Sequence, residues 1–340
     1  MTFRLGILGA GNISETHARA ASEVDGVEVV AVHGGNRERA QRLASAYGAT
    51  AFDELDQFLD HPMDAVAIGS PSGLHAEQGL RAAEKGLHLL VEKPIDITPA
   101  RADVLIAAAQ RAGVKLGVFF QDRVQPDIVR LHEAVTGGRL GVPLLASARV
   151  KWYRPPEYYS QSRWRGTWAL DGGGALMNQG IHTVDLLQWM FGPVARIAAR
   201  TRTALHRIEV EDTVVALLEF ESGAVATLEA TTAAYPGYKR RVEFTGTEGT
   251  MILEHDRLVS ADLKQPSDDL VDAVSADGNQ SASSPVVSDA RGHQRLIEDF
   301  VDAVRTGRDP TCNGVEARKS VAIACAIYDA ARSGAWMEMR

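Results

Sequence analysis

Phe3-Arg4-Leu5-Gly6-Ile7-Leu8-Gly9-Ala10-Gly11-Asn12-Ile13-Ser14 is the stretch that decides the fold of this chain. Residues 5–8 form a short apolar run that stops at Gly9, and residues 12–22 carry a helical pattern, so the glycines sit in a strand–turn–helix frame. Gly9 permits a tight turn and Gly11 lets the backbone approach a phosphate. The helix start then offers free N–H groups and the positive end of a dipole. Ser14 stands where a third glycine would complete the pattern and is small enough to keep helix and strand close. The frame predicts a pyrophosphate cradle of the dinucleotide type rather than an ordinary glycine turn.

The alternation continues outward from this stretch. Apolar runs at 27–32, 65–68, 87–91 and 114–119 are separated by helical patterns at 37–47, 74–85 and 99–111. Gly48, Gly86 and Gly113 stand at the helix ends, and Pro99 stands at a helix start. Short apolar strands between amphipathic helices predict right-handed crossovers and a doubly wound parallel sheet over residues 1–121. After one further helix (126–135), strand candidates crowd together at 144–153, 194–203, 213–220, 224–232, 241–245 and 250–254. Hairpin turns are expected at 221–223 and 246–249. Residues 122–340 thus read as an α+β domain with a mostly antiparallel sheet. An irregular segment is expected at 264–290, rich in Ser, Asp and Ala, and two helices are expected at 292–306 and 315–332.

At 340 residues the chain has room for about two domains. Its 45% apolar and 24% charged content is that of a globular protein. The net charge of −8 argues against nucleic acid and anionic membranes as partners, because both reward a basic surface. No apolar run approaches about 18 residues, so no membrane helix is expected, and no secretion signal is read at the N-terminus. Cys312 and Cys325 form no metal-ligand or disulfide pattern. No metal is expected, and a cytoplasmic location fits.

The end of the second strand reads His33-Gly34-Gly35-Asn36-Arg37, without the carboxylate that would hold the 2′-hydroxyl of NAD. Arg37 can meet a 2′-phosphate, which tilts the expectation between NAD and NADP toward NADP. Glu92-Lys93-Pro94 ends the fourth strand, so Lys93 is expected in the crevice outside the strands' carboxyl ends. There a lysine can orient a substrate hydroxyl or shuttle its proton. In Gly172-Gly173-Gly174-Ala175-Leu176-Met177-Asn178-Gln179-Gly180-Ile181-His182-Thr183-Val184-Asp185, a helix starting near Gly174 would put Asn178, His182 and Asp185 on one face. His182 is then a natural base for the proton of a secondary alcohol.

With these residues in view, the chain resembles the glucose–fructose oxidoreductase/inositol dehydrogenase/rhizopine catabolism protein (Gfo/Idh/MocA) family. The match rests on Gly9-Ala10-Gly11-Asn12-Ile13, on Pro71-Ser72 with His75, on Glu92-Lys93-Pro94 and on the 172–185 block. Gly292-His293, Glu298-Asp299-Phe300 and Gly314-Val315-Glu316-Ala317 add to it. The resemblance implies a Rossmann domain, then an α/β domain whose open sheet builds homodimers or homotetramers. It also implies hydride exchange between NAD or NADP and a secondary hydroxyl or ketone of a sugar, polyol or nucleotide sugar. Carried over, it assigns catalysis to Lys93 and His182. Together with the reading of the end of the second strand, it makes Gly9, Gly11, Asn12, Ile13, Asn36, Arg37, Pro71, His75, Glu92 and Lys93 the expected cofactor contacts. The family's usual acid four residues before the histidine is Asn178 here; it can hold a hydroxyl or fix the imidazole tautomer, and Asp185 is the alternative source of charge.

Tyr158-Tyr159 and Trp164-Arg165 resemble branches acting on nucleotide-linked sugars, including UDP-N-acetylglucosaminuronate 3-dehydrogenases. Arg165 or Arg163 can pair with a uronate or diphosphate, and Tyr158 and Trp164 can stack on a sugar or base. Arg123, just past the fifth strand, is a further crevice candidate alongside Asn178 and His182. Two other functions use the same scaffold: a glycosidase acting by transient oxidation and elimination, and a non-catalytic cofactor-sensing regulator. Retention of Lys93 and His182 argues against the regulator, and the lack of an export signal argues against the glycosidase.

Overall fold

The computed structural model describes residues 2–265, 270 and 290–339; most of the irregular segment expected at 264–290 lies outside them. The chain divides into two compact units, 1–121 with 286–318, and 122–285 with 319–340.

The first unit runs β1 (Phe3–Leu8), α1 (Asn12–Ser22), β2 (Val27–His33), α2 (Arg37–Ala46), β3 (Thr50–Phe52), α3 (Leu55–Leu59), β4 (Ala65–Ile68), α4 (His75–Glu84), β5 (His88–Val91), α5 (Pro99–Ala112) and β6 (Leu116–Val118). Its six strands lie in the order β3-β2-β1-β4-β5-β6, all pairs parallel. The central strands have apolar side chains on both faces: Ile7, Leu8, Val66, Ile68, Leu90 and Val91 are all buried. Helix starts and stops follow local chemistry. Asn36 caps α2 by accepting from the Arg39 N–H, and Thr98 does the same for Arg101 at the start of α5. Gly113 takes a left-handed φ of 68° at the end of α5. The direction of winding reverses between β1 and β4, and this switch point is where open α/β sheets bind ligands.

The second unit contains α6 (Pro126–Thr136), β7 (Pro143–Lys151), α7 (Glu157–Ser160), a π-helical turn (Ala175–Gly180), α8 (Ile181–Phe191), β8 (Val194–Arg202), β9 (Thr213–Phe220), β10 (Val225–Thr231), β11 (Arg241–Gly246), β12 (Gly249–Glu254) and β13 (Arg257–Leu263). The chain then enters α9 (Arg291–Thr306), which packs on α1 of the first unit, followed by α10 (Gly314–Ser333) and β14 (Met337–Glu338). The eight-stranded sheet has the order β13-β12-β11-β7-β10-β9-β8-β14, antiparallel throughout except for β7 with β10. Along β9, Val214, Ala216, Leu218 and Phe220 are buried, while Val215 and Leu217 face outward and are exposed. Among the described residues no helix is long and apolar enough to cross a membrane.

One local expectation needs correction. The segment after Gly174 does not start as an α-helix. A π-helical turn comes first and α8 begins only at Ile181. The wider π ring changes the angular step between residues. His182 and Asp185 keep their regular spacing inside α8, whereas Asn178 lies in the π turn, outside that regular spacing.

Candidate active site

In the first unit the cradle has the expected build. Gly9 has φ +128°, a value that favours glycine, and a Cβ there would press on the Gly69 backbone. At Gly11 an added Cβ would meet nothing within 4 Å, so the space in front of the turn is open. Gly11 precedes α1 and no side chain caps it, which leaves the first N–H groups of the helix for a ligand. Ser14 is fully buried, between Gly9 and Gly69. Asn12 is exposed and Ile13 half-buried at this lip. The geometry fits a dinucleotide pyrophosphate: open room, close backbone approach and an uncapped helix start.

The end of β2 lies beside this turn, close enough that a Cβ on Gly34 would collide with Ala10. The Asn36 side chain is engaged as the α2 cap. Arg37 is 83% exposed and stands 3.4 Å from the Asp53 carboxylate.

The ends of β4 and β5 are held by a buried polar lattice. His75 is buried, with Nδ1 at 2.8 Å from the Pro94 carbonyl and Nε2 at 3.0 Å from the Ser70 carbonyl. It ties the two strand ends together, so both ring nitrogens face backbone carbonyls rather than the crevice. Pro71 is half-buried on the same loop. Asp96 accepts from the N–H groups of Ala76 and Ile97 and pairs with Arg101 at 2.6 Å. Between these anchors, half-buried Lys93 follows β5 directly. Glu92 is buried and points inward, 2.9 Å from His17 Nε2 and 3.8 Å from His293 Nε2. His17 stacks on Phe119 with ring centroids 4.1 Å apart. Burial pushes the Glu92 carboxyl up, but the hydrogen bond from His17 and the charges of His17, Lys93 and His293 outweigh it and bring it to about 2. Burial pushes His293 down to about 4. The ligand-type atoms of His17, Glu92 and His293 lie within 4.8 Å of one another.

In the second unit His182 opens α8 with its side chain 12% exposed. Asp122 Oδ1 stands 3.9 Å from its Nδ1. Arg240 donates to the other Asp122 oxygen and to Asp256. Burial would raise the Asp122 carboxyl, but the charges of Arg240 and His182 hold it below its ordinary range. Asp185 is engaged elsewhere. It is fully buried, takes two hydrogen bonds of 2.8 Å from Arg123 and accepts one from Ser320. Arg123, expected to face the crevice, has its side chain only 1% exposed and lies over the Trp189 ring, so it is buried in this ion pair. Asn178 donates to the buried Asp171 at 2.8 Å. Spacing offered no sign of Asp122, Arg240 or Asp171, because each meets its partner only through the fold; the one visible trace is Asp122 beside Arg123.

Around Tyr158 two guanidiniums gather. The Arg165 guanidinium stands 4.5 Å from the Tyr158 ring centre and 5.1 Å from that of Trp164. Arg154 is buried, 5.5 Å from the Tyr158 ring and 5.3 Å from that of Trp152. The Tyr158 hydroxyl accepts from Gln179 at 3.2 Å. Two guanidiniums thus stack on one tyrosine, an arrangement suited to a planar anion. Arg163 is exposed.

Two family models match this chain: an oxidoreductase family with an NAD-binding Rossmann fold over residues 3–120, and a GFO/IDH/MocA C-terminal domain over 128–252. Among solved structures, the WlbA dehydrogenase from Bordetella pertussis, in complex with NADH and UDP-GlcNAcA, is 32% identical with a TM-score of 0.90, covering 100% of this chain and 99% of that one. Inositol 2-dehydrogenase from Rhizobium meliloti (strain 1021) is 28% identical over 95% of both chains. The 1,5-anhydro-D-fructose reductase of Ensifer adhaerens is also 28% identical, over 97% of each.

Proposed function

Because the chain belongs to the Gfo/Idh/MocA family of NAD-binding oxidoreductases, we propose that it exchanges hydride with a secondary carbinol of an anionic, nucleotide-linked sugar. The observation that carries the substrate class is the pair of guanidiniums, Arg154 and Arg165, stacked on Tyr158 beside Trp164. This pair suits a uronate or phosphate, and the WlbA structure with UDP-GlcNAcA is in keeping with it.

Gly9, Gly11, Asn12 and Ile13 would hold the cofactor's pyrophosphate, and its nicotinamide would supply the hydride acceptor or donor. His182 takes the hydroxyl proton as the carbinol is oxidised. Asp122 stabilises the resulting imidazolium and is itself held in place by Arg240. Lys93, fixed by the Glu92 and Pro94 anchors around it, polarises the reacting oxygen. Asn178, oriented by Asp171, holds a neighbouring hydroxyl. The bare end of β2 and the exposed Arg37 support use of NADP, while Asp53 competes for that guanidinium and NADH accompanies WlbA. Cys312 and Cys325 are thiols, which suits a cytoplasmic setting. The outward face of the eight-stranded sheet, with Leu145, Val215 and Leu217 exposed, serves to pair with a second copy.

Turnover of UDP-linked uronates, inositols and free sugars with NAD and NADP, followed by the absorbance of reduced nicotinamide, tests the reading. Lys93→Met and His182→Ala should each lower kcat by about 100-fold or more. Two variants as active as the wild type would refute the assignment.

A further inference from the structure

Glu211 lies on the approach to β9 and nothing in its sequence context marks it as functional. Its Oε2 accepts from the Gly174 N–H at 2.9 Å, and its Oε1 accepts from the Leu176 N–H at 2.8 Å and from the Tyr328 hydroxyl at 3.1 Å. Its main-chain carbonyl accepts from the Ala175 N–H at 3.1 Å. One residue therefore satisfies three consecutive N–H donors at the start of the π turn, where glycine can provide no side-chain cap.

The glycine block fits this partner. A Cβ on Gly174 would overlap the Glu211 carbonyl oxygen, and one on Gly173 would overlap the Tyr328 hydroxyl. The two glycines bring the backbone close enough for Glu211 and Tyr328 to reach it. Four residues beyond Gly174 comes Asn178, and four further comes His182.

We infer that Glu211 is the positioning residue that seats the segment bearing Asn178 and His182. This rests on the proposed role of His182 as the base. The chemistry favours an anion: all three donors reaching the carboxyl oxygens need lone pairs, and a glutamine would turn an N–H toward Gly174 or Leu176. Burial pushes the Glu211 carboxyl up to about 7 despite those donors, a burden that a neutral side chain would avoid.

Glu211→Gln should lower kcat about tenfold and leave the NADH dissociation constant, read by fluorescence, within twofold of wild type. A merely structural defect would move both. In hydrogen-exchange mass spectrometry the amides of 174–176 should exchange at least tenfold faster in the variant. Tyr328→Phe, which keeps the backbone donors, should change kcat less than threefold. If Glu211→Gln does not fold, Glu211→Asp keeps the charge but shortens the reach, and should show the same two effects. Wild-type kcat or wild-type exchange in a folded Glu211 variant overturns the inference, as does fast exchange at 174–176 in the wild type itself. Exchange reports the seating without turnover, whereas failure of the catalytic reading would appear as an active His182→Ala enzyme whatever Glu211 does.

Discussion

Glu92 keeps its charge where water barely reaches it, with His17 at hydrogen-bond distance and Lys93 adding to the field, joined by His293 once that ring takes up a proton in acid. Its carboxyl is depressed from the ordinary 4.5 to about 2, so the ionised form stabilises the fold above pH about 4.5 and that stability drains away as pH falls toward 2. The shift corresponds to about 3 kcal/mol. Glu92→Gln should therefore be clearly less stable than wild type at pH 7 in urea unfolding, with the gap shrinking below pH 4.5; an equal gap at pH 7 and pH 3 would contradict this account. His293 acts in the adjoining window. Kept neutral down to about 4 in the folded state, it costs stability as pH drops from about 6.5, where the unfolded chain starts to take up the proton. At this scale the sequence was partly legible. Lys93 and His182 stand out by their motifs. The partners of Arg123 and His182 do not, because Asp185 and Asp122 reach them through tertiary packing.

The glycine triplet shows how an element's geometry can be forced from outside. Gly174→Ala would drive a methyl group deep into the Glu211 backbone, which cannot swing aside, whereas Gly173→Ala meets the Tyr328 hydroxyl and, less closely, the Met177 Cβ, so only part of its clash falls on fixed atoms. Overpacking of this kind costs about 1–3 kcal/mol, and Gly174→Ala should fall at the upper end. Calorimetry should show a larger drop in Tm for Gly174→Ala than for Gly173→Ala, and the reverse order would refute the packing argument. Most elements could be read from sequence because periodicity and caps agree: residues 12–22, 65–68 and 213–220 appear with the bounds their patterns predict. What escaped has weak local signals. β3 and β14 are very short, β13 follows a turn rich in charge, and the π turn has no distinctive composition. An α-helical reading of that turn affects the placement of Asn178, which lies within it, and not that of Asp185, which lies in α8.

The outward face of the large sheet combines apolar and charged rows. Lys151 pairs with Glu229, and Arg149 with Glu243, around the exposed Leu145, Val215 and Leu217. A face with both signs and an apolar centre can complement itself about a twofold axis. In sedimentation velocity, the Leu145→Asp/Leu217→Asp double variant should run as a monomer with a Tm close to wild type, since both side chains are solvent-exposed. A wild type that already sediments as a monomer would end the idea. The chain's path across its two units carries a separate consequence for synthesis. The first sheet is complete at residue 118, yet α9, which covers α1 and brings His293 to Glu92, is translated only after the whole eight-stranded sheet apart from β14. On the ribosome, the half that emerges first must wait for nearly the last segment to emerge before its own interior is closed. A fragment ending at 121 would leave that side of α1 bare to water and prone to clumping, so the nucleotide-binding half cannot be cut free at the point where its sequence pattern ends.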